Sequence, residues 1–122
     1  MIYEPFYPSD SYDSMVASAG TIVKDWNIGD WQGDYVYLLK NGNKFGFTVV
    51  GYGSCSGCDA LENCSNQEEV DQLKESVIND IFWGTAEEVE KYITNEDANR
   101  FYFYEDDWKD VRKELIEVLS NG

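Results

Sequence analysis

The sequence contains no histidine and is poor in basic residues, cysteine and proline. Its 122 residues include nine Lys and Arg, three Cys and two Pro against 24 Asp and Glu, so the net charge is −15. Without His, the chain has neither Ser-His-Asp nor Cys-His catalytic machinery, and no imidazole metal ligand. The excess of acids argues against direct binding to DNA, RNA or anionic membranes, because their phosphates would repel the chain.

The chain also lacks long apolar runs. No stretch approaches the roughly 18 apolar residues of a membrane span, and the amino terminus does not resemble a secretory signal. Hydrophobic residues nevertheless make up 43% of the chain, which is too many for a disordered acidic tail. The three Cys are an odd number within ten positions, unlike a secreted disulfide framework. We therefore predict one folded domain that spans residues 1–122 and resides in the cytoplasm.

The first half of the chain is rich in strand formers and turn residues. Strands are predicted at Thr21–Trp26, Asp34–Lys40 and Phe45–Tyr52. A turn is expected at Asn27–Asp30, and a tight hairpin turn at Asn41–Lys44, because Asn and Gly tolerate positive φ. Together these segments predict a three-stranded antiparallel meander over residues 21–52.

The second half carries helix signals. Ser65 to Glu68 and Thr85 to Glu88 both have the form of a capping box. The spacing of apolar residues predicts a helix from the first box to about Phe82, stopped by Gly84, and a shorter one from the second box to about Ile93. A terminal helix is predicted after Asp106 and Asp107, with apolar positions Trp108, Val111, Leu115 and Val118.

The order of elements, strands first and helices second, predicts an α+β fold. We expect the three-stranded meander to be followed by two to three helices packed on one face of the sheet. Residues 1–20 are expected to form an irregular arm or a short helix near Ser11–Ala19, and residues 100–104 a short strand. Residues 53–65 form a Cys-rich loop, and residues 66–122 form the acidic helical part.

The cysteine loop has the spacing of a metal site. Cys55 and Cys58 form a C-x-x-C pair between glycines, and Cys64 follows six residues later. Thiolates suit Zn²⁺, which prefers four tetrahedral ligands. We predict a structural Zn²⁺ site made of these three Cys and Asp59, with Glu62, a water or a partner's group as other fourth ligands. Free thiols, a disulfide within the C-x-x-C pair, or an iron–sulfur or redox site are the alternatives.

The negative charge is concentrated after residue 50. Residues 51–122 carry 18 acids and six bases, a net charge of −12. Such a surface either keeps the protein in solution or imitates the phosphates of a nucleic acid and binds a basic protein channel. The predicted partner-binding acids are Glu68, Asp71, Glu75, Glu87, Glu88, Glu105, Asp106, Asp107 and Asp110.

Two stretches carry a resemblance to known proteins. The segments Gly29–Tyr35 and Gly51–Leu61 resemble small proteins of phages and prophages. With its size and acidity, the chain resembles over about residues 20–83 the phage-encoded anti-CRISPR proteins that inhibit Cas9. The resemblance implies a protein in the cytoplasm of a bacterial host cell that blocks guide loading, target-DNA loading or cleavage. Cas9 holds its nucleic acids in positively charged channels, which an acidic protein can occupy.

These observations predict a binding protein and not an enzyme. The expected partner is a basic nucleic-acid-binding protein, with Cas9 as the first choice, and neither nucleic acid nor membrane is expected to bind directly. The alternative is a zinc-stabilised protein-interaction module of a phage or prophage without nucleic-acid mimicry, in which the charge serves only solubility.

Overall fold

Four helices and four strands make up the part of the chain that the computed structural model describes, which is residues 10–29, 33–53, 60–61, 63–95 and 105–121. None of these helices is both long enough and apolar enough to cross a bilayer. In chain order the elements are α1 (Tyr12–Ala17), β1 (Thr21–Gly29), β2 (Gly33–Asn41), β3 (Lys44–Tyr52), α2 (Gln67–Asn79), β4 (Phe82–Gly84), α3 (Ala86–Asn95) and α4 (Glu105–Asn121).

The strands form one antiparallel sheet in the order β1-β2-β3-β4. The α+β class is confirmed, but the three-stranded sheet is wrong, because the sheet has a fourth strand. β4 pairs with the first half of β3, with Phe82 opposite Phe47 and Gly84 opposite Phe45. The sequence pattern predicts a helix to about Phe82, whereas α2 ends at Asn79 and Phe82 and Trp83 belong to the strand.

The predicted hairpin is confirmed, and its turn is tight. β2 and β3 remain paired up to Asn41 opposite Lys44, and Gly42 adopts a φ of +61° between them. Positive φ at only the first central residue is the feature of a II′ turn, whose twist suits a two-residue hairpin. The turn predicted at 27–30 is wrong in its first part, because β1 continues to Gly29 and Ile28 is buried in the core.

The centre of the sheet is the second strand, which is buried on both sides. Val36, Tyr37, Leu38 and Leu39 are all 0% exposed. Successive side chains of a strand point to opposite faces, so a run of four buried residues requires a covering layer on each face. The helices supply these two layers, and the expectation that they pack on one face is wrong.

Each layer consists of two helices. Val36 and Leu38 lie in a core with α3 and α4, while Tyr37 and Leu39 lie in a core with α1 and α2. We call these sides the α3/α4 face and the α1/α2 face. The first core comprises Ile28, Val36, Leu38, Phe45, Phe47, Val89, Ile93, Trp108, Val111, Leu115 and Leu119. The second comprises Tyr12, Met15, Val16, Tyr37, Leu39, Val50, Val70, Val77 and Ile81.

Gly46 leaves room for the side chains of Ile81 and Trp83, which pack over β3 on the α1/α2 face. A Cβ at this position would lie 2.9 Å from Cγ2 of Ile81 and 2.9 Å from a ring carbon of Trp83. Both distances are below ordinary van der Waals contact, so the indole ring lies directly against the glycine backbone. The absence of a side chain at Gly46 is therefore a packing requirement.

We expect Gly46→Ala to destabilise the protein by about 1–3 kcal/mol, because the added methyl overpacks a filled core. The free energy of unfolding from urea titration measures this effect. Gly51→Ala, on the same strand, is the matched control, since its Cβ would meet nothing closer than Asp34 Oδ1 at 3.6 Å. Equal stability of the two variants would contradict the close packing at Gly46.

Candidate functional site

Most of the predicted metal site lies outside the described residues. This holds for Cys55, Cys58 and Asp59, whereas Cys64 lies just before α2. Cys64 is half-buried against the core of the α1/α2 face, and its Sγ lies 3.4 Å from the carbonyl oxygen of Ala60. Within the described ranges no group of three or more Cys, Asp or Glu has the arrangement of a metal site. The zinc site stays a prediction, and Cys64, one of its predicted ligands, lies just before the start of α2.

The predicted acids of α2 lie on its outer side. Glu68, Asp71 and Glu75 are exposed, while Val70 and Val77 on the opposite side are buried against the sheet. Asp71 accepts a hydrogen bond of 2.9 Å from Nε2 of Gln67. In the described part of the chain none of these three carboxylates lies within 4.0 Å of a Lys or Arg nitrogen.

The start of α2 differs by one residue from the predicted capping box. The N-cap is Asn66, whose side-chain oxygen accepts from the backbone N–H of Glu69 at 2.9 Å. The Glu69 carboxylate accepts in turn from the backbone N–H of Ser65 at 3.0 Å. This shift leaves Glu68 out of the cap and on the exposed side.

The acids at the start of α3 have unequal roles. The capping box between Thr85 and Glu88 is confirmed: the Glu88 carboxylate accepts from the Thr85 backbone N–H at 3.0 Å, and Thr85 Oγ1 accepts from the Glu88 N–H at 3.2 Å. The first of these bonds lowers the pKa of Glu88. The side chains of Glu87 and Glu88 are both exposed, but the Glu88 carboxylate is engaged in the cap at the start of α3.

On α4, Asp107 and Asp110 are exposed, while the side chains of Glu105 and Asp106 lie outside the described residues. Glu114, one turn beyond Asp110, is engaged with the edge strand β1. It accepts a hydrogen bond from the Trp26 indole N–H, and its carboxylate lies 4.0 Å from Nζ of Lys24. Basic residues are interspersed along the same helix, namely Lys109, Arg112 and Lys113.

The predicted acids do not form one surface, because the sheet separates them. The α2 acids lie on the α1/α2 face, and those of α3 and α4 lie on the α3/α4 face. α2 carries four acids and one Lys, whereas α3 and α4 together carry nine acids and four bases. The exposed side of α2, defined by Glu68, Asp71 and Glu75, is the less mixed surface, and we call it the α2 acidic face.

The sequence analysis did not predict a tyrosine cluster that lies on the α1/α2 face of the sheet. Tyr35 lies opposite Val50, which makes it the diagonal neighbour of Tyr52, and the two rings stack with centroids 4.3 Å apart. Tyr37 donates a hydrogen bond of 2.6 Å to Oδ1 of Asp13 on α1. Burial and the adjacent carboxylate raise the pKa of Tyr37 above its usual value, so the phenol remains a donor. The period-two spacing of Tyr35 and Tyr37 was the available signal.

Comparison with known proteins adds no relative. No protein-family model, curated protein or solved structure matches the chain. The resemblance to anti-CRISPR proteins stays a prediction from the sequence.

A substitution of Thr85 tests whether the capping box that it forms with Glu88 stabilises the start of α3. We expect Thr85→Ala to lower the free energy of unfolding by about 0.5–2 kcal/mol, since the side-chain oxygen at the helix start is lost. Thr85→Ser keeps that oxygen and should unfold close to wild type. The measurement is thermal or urea unfolding, and a wild-type value for Thr85→Ala would show that the box contributes nothing.

Proposed function

We propose that the protein binds a basic surface of a nucleic-acid-binding protein through the α2 acidic face. A Cas9-type CRISPR effector is the first partner to test, and inhibition of its nucleic-acid binding or cleavage is the proposed outcome. The observation that carries the proposal is the set of three exposed carboxylates on α2, on a helix with four acids and a single Lys, none of which forms an ion pair in the described structure. The Cas9 assignment follows from the resemblance described above.

The spacing of the α2 carboxylates supports imitation of a phosphate backbone. Glu68 and Glu75 are seven residues apart, which corresponds to roughly 10 Å along a helix axis. Phosphates of one nucleic-acid strand follow at about 3.4 Å along the duplex axis, so this span covers about three of them. A basic groove that binds a row of phosphates would therefore find the α2 carboxylates at a spacing comparable to that of the phosphates.

The α3/α4 face is the weaker candidate, because some of its acids are engaged within the protein and others lie among basic residues. Glu88 holds the start of α3, and Glu114 is engaged with Lys24 and Trp26. The bases of α4 lie within one or two turns of its acids, where pairs three and four residues apart interact. Such a surface is typical of a solvated helix.

Charge reversal tests which face makes the contact. We expect Glu68→Lys/Asp71→Lys/Glu75→Lys to weaken binding to Cas9 at least about tenfold at low salt, because attraction becomes repulsion. The control reverses three exposed acids on the other face, Glu87, Asp110 and Glu117, and should bind within about threefold of wild type. Each reversal adds two charges, so both triple variants have a net charge of −9 against −15. Dissociation constants and DNA-cleavage assays measure the effect.

Three results would contradict the proposal. Equal losses in both variants would mean that bulk charge matters and not the α2 acidic face. Binding that does not weaken between low and high salt would favour the interaction module whose charge serves solubility, since phosphate-like contacts are strongly screened. Absence of Cas9 binding at low salt would remove Cas9 as the partner.

We also propose that Cys55, Cys58 and Cys64 bind Zn²⁺, with Asp59 as the candidate fourth ligand. Support comes from the C-x-x-C spacing and from the place of Cys64 at the base of α2, where a metal would join the loop to the helix. Protein purified under reducing conditions should contain about one zinc per chain by elemental analysis. Cys64→Ser should lose most of it and Ser65→Ala should keep it. A wild-type content well below one would remove the claim.

A further inference from the structure

A cavity of about 350 Å³ opens on the α1/α2 face, between the N-terminal end of α1, the start of β2 and the end of β3. Its volume is within the range of small-ligand sites. The described lining residues that matter here are three tyrosines and two aspartates: Tyr12, Tyr35, Tyr52, Asp10 and Asp13. No Lys or Arg is among its described lining residues.

The aromatic part of the cavity is preorganised by the sheet. The rings of Tyr35 and Tyr52 stack with their centroids 4.3 Å apart and an angle of 25° between their planes. The ring centroid of Tyr12 lies 6.2 Å from that of Tyr35. The rings of Tyr35 and Tyr52 are half-buried, while Tyr12 is only 7% exposed. Aromatic faces carry partial negative charge and attract cations within about 6 Å.

The carboxylates add to this preference. Asp13 uses Oδ1 to accept the 2.6 Å bond from Tyr37, which fixes the side chain and leaves its second oxygen for another donor. Asp10 lies three residues earlier on the same wall and is half-buried. Two carboxylates and several aromatic faces, with no basic residue among the described lining, favour a cation and disfavour an anion.

We propose that this cavity binds the guanidinium group of an arginine side chain of the protein partner. The inference rests on the proposed function and deepens it. A planar guanidinium stacks on tyrosine and donates to two carboxylates at once, whereas an ammonium is a compact, strongly hydrated point charge. Buried arginine and tyrosine are also frequent anchors of protein interfaces.

The position of the cavity fits a partner that covers the α2 acidic face. Tyr12 and Tyr37 belong to the same buried core as Val70 and Val77 of α2, so the cavity and the helix share one side of the sheet. In the proposed complex, the partner contacts the exposed acids of α2 and inserts one arginine into the cavity on the same side of the sheet.

Titration of the isolated protein tests the site without any partner. The probes are acetylated Gly-Arg-Gly amide and the same peptide with citrulline, which keeps the shape but has no charge. We expect saturable shifts of the tyrosine ring signals in NMR spectra with the arginine peptide, with a dissociation constant on the order of millimolar. Linear shifts, or equal binding of both peptides at matched ionic strength, would overturn the site.

A variant pair locates the binding. Asp10→Asn removes one carboxylate from the cavity wall and should weaken the arginine peptide about tenfold, the effect of losing one charge-assisted hydrogen bond. Asp110→Asn, exposed on the α3/α4 face, makes the same charge change elsewhere and should leave the affinity unchanged. A folded Asp10→Asn variant that binds the arginine peptide with wild-type affinity would contradict the proposal.

Competition identifies the source of the guanidinium. The arginine peptide in excess should displace the protein from Cas9, and the citrulline peptide at matched salt should not. An arginine peptide that binds the cavity but displaces nothing would assign the site to a free guanidinium compound and overturn the partner assignment. If Cas9 fails to bind at low salt, the proposed function falls, whereas saturable binding of the peptide to the isolated protein still supports the guanidinium site.

Discussion

The burial of β2 on both of its faces is the constraint on which the rest of the structure depends. Four consecutive side chains, Val36 to Leu39, are removed from water, which requires a helical layer above and below this strand. The layers come from different parts of the chain, α1 and α2 on one side and α3 and α4 on the other. The position of every acidic helix follows from this arrangement.

The same arrangement divides the acidic residues of the helices between two separate surfaces. Packed layers lie about 10 Å apart, so the helices on opposite faces are roughly 20 Å apart across the sheet. At physiological ionic strength the screening length is about 8 Å, and charges on one face have little influence at the other. Electrostatic steering at low salt depends on the whole charge of −15, whereas the contact that we propose depends on one face.

Local signals in the sequence predicted the local structure well. The hairpin at Asn41–Lys44, the box at Thr85 and the exposed acids of α2 depend on neighbouring residues, and the structure has them. The fourth strand and the second helical layer depend on contacts between distant segments. The apolar run at 36–39 was the one available sign of two-sided burial, since a strand covered on one side alternates apolar and polar residues.

The tyrosine cavity shows why site residues were harder to find than elements. Tyr35 and Tyr52 are 17 positions apart in the sequence, and only the register of β2 and β3 brings their rings into stacking. Asp13 joins them because α1 packs on that side, where Tyr37 donates to it. Each residue alone is an ordinary core aromatic or surface acid. Their combination on the side that also carries the least mixed acidic helix is a property of topology, and it gives that side both charge and a shaped cavity.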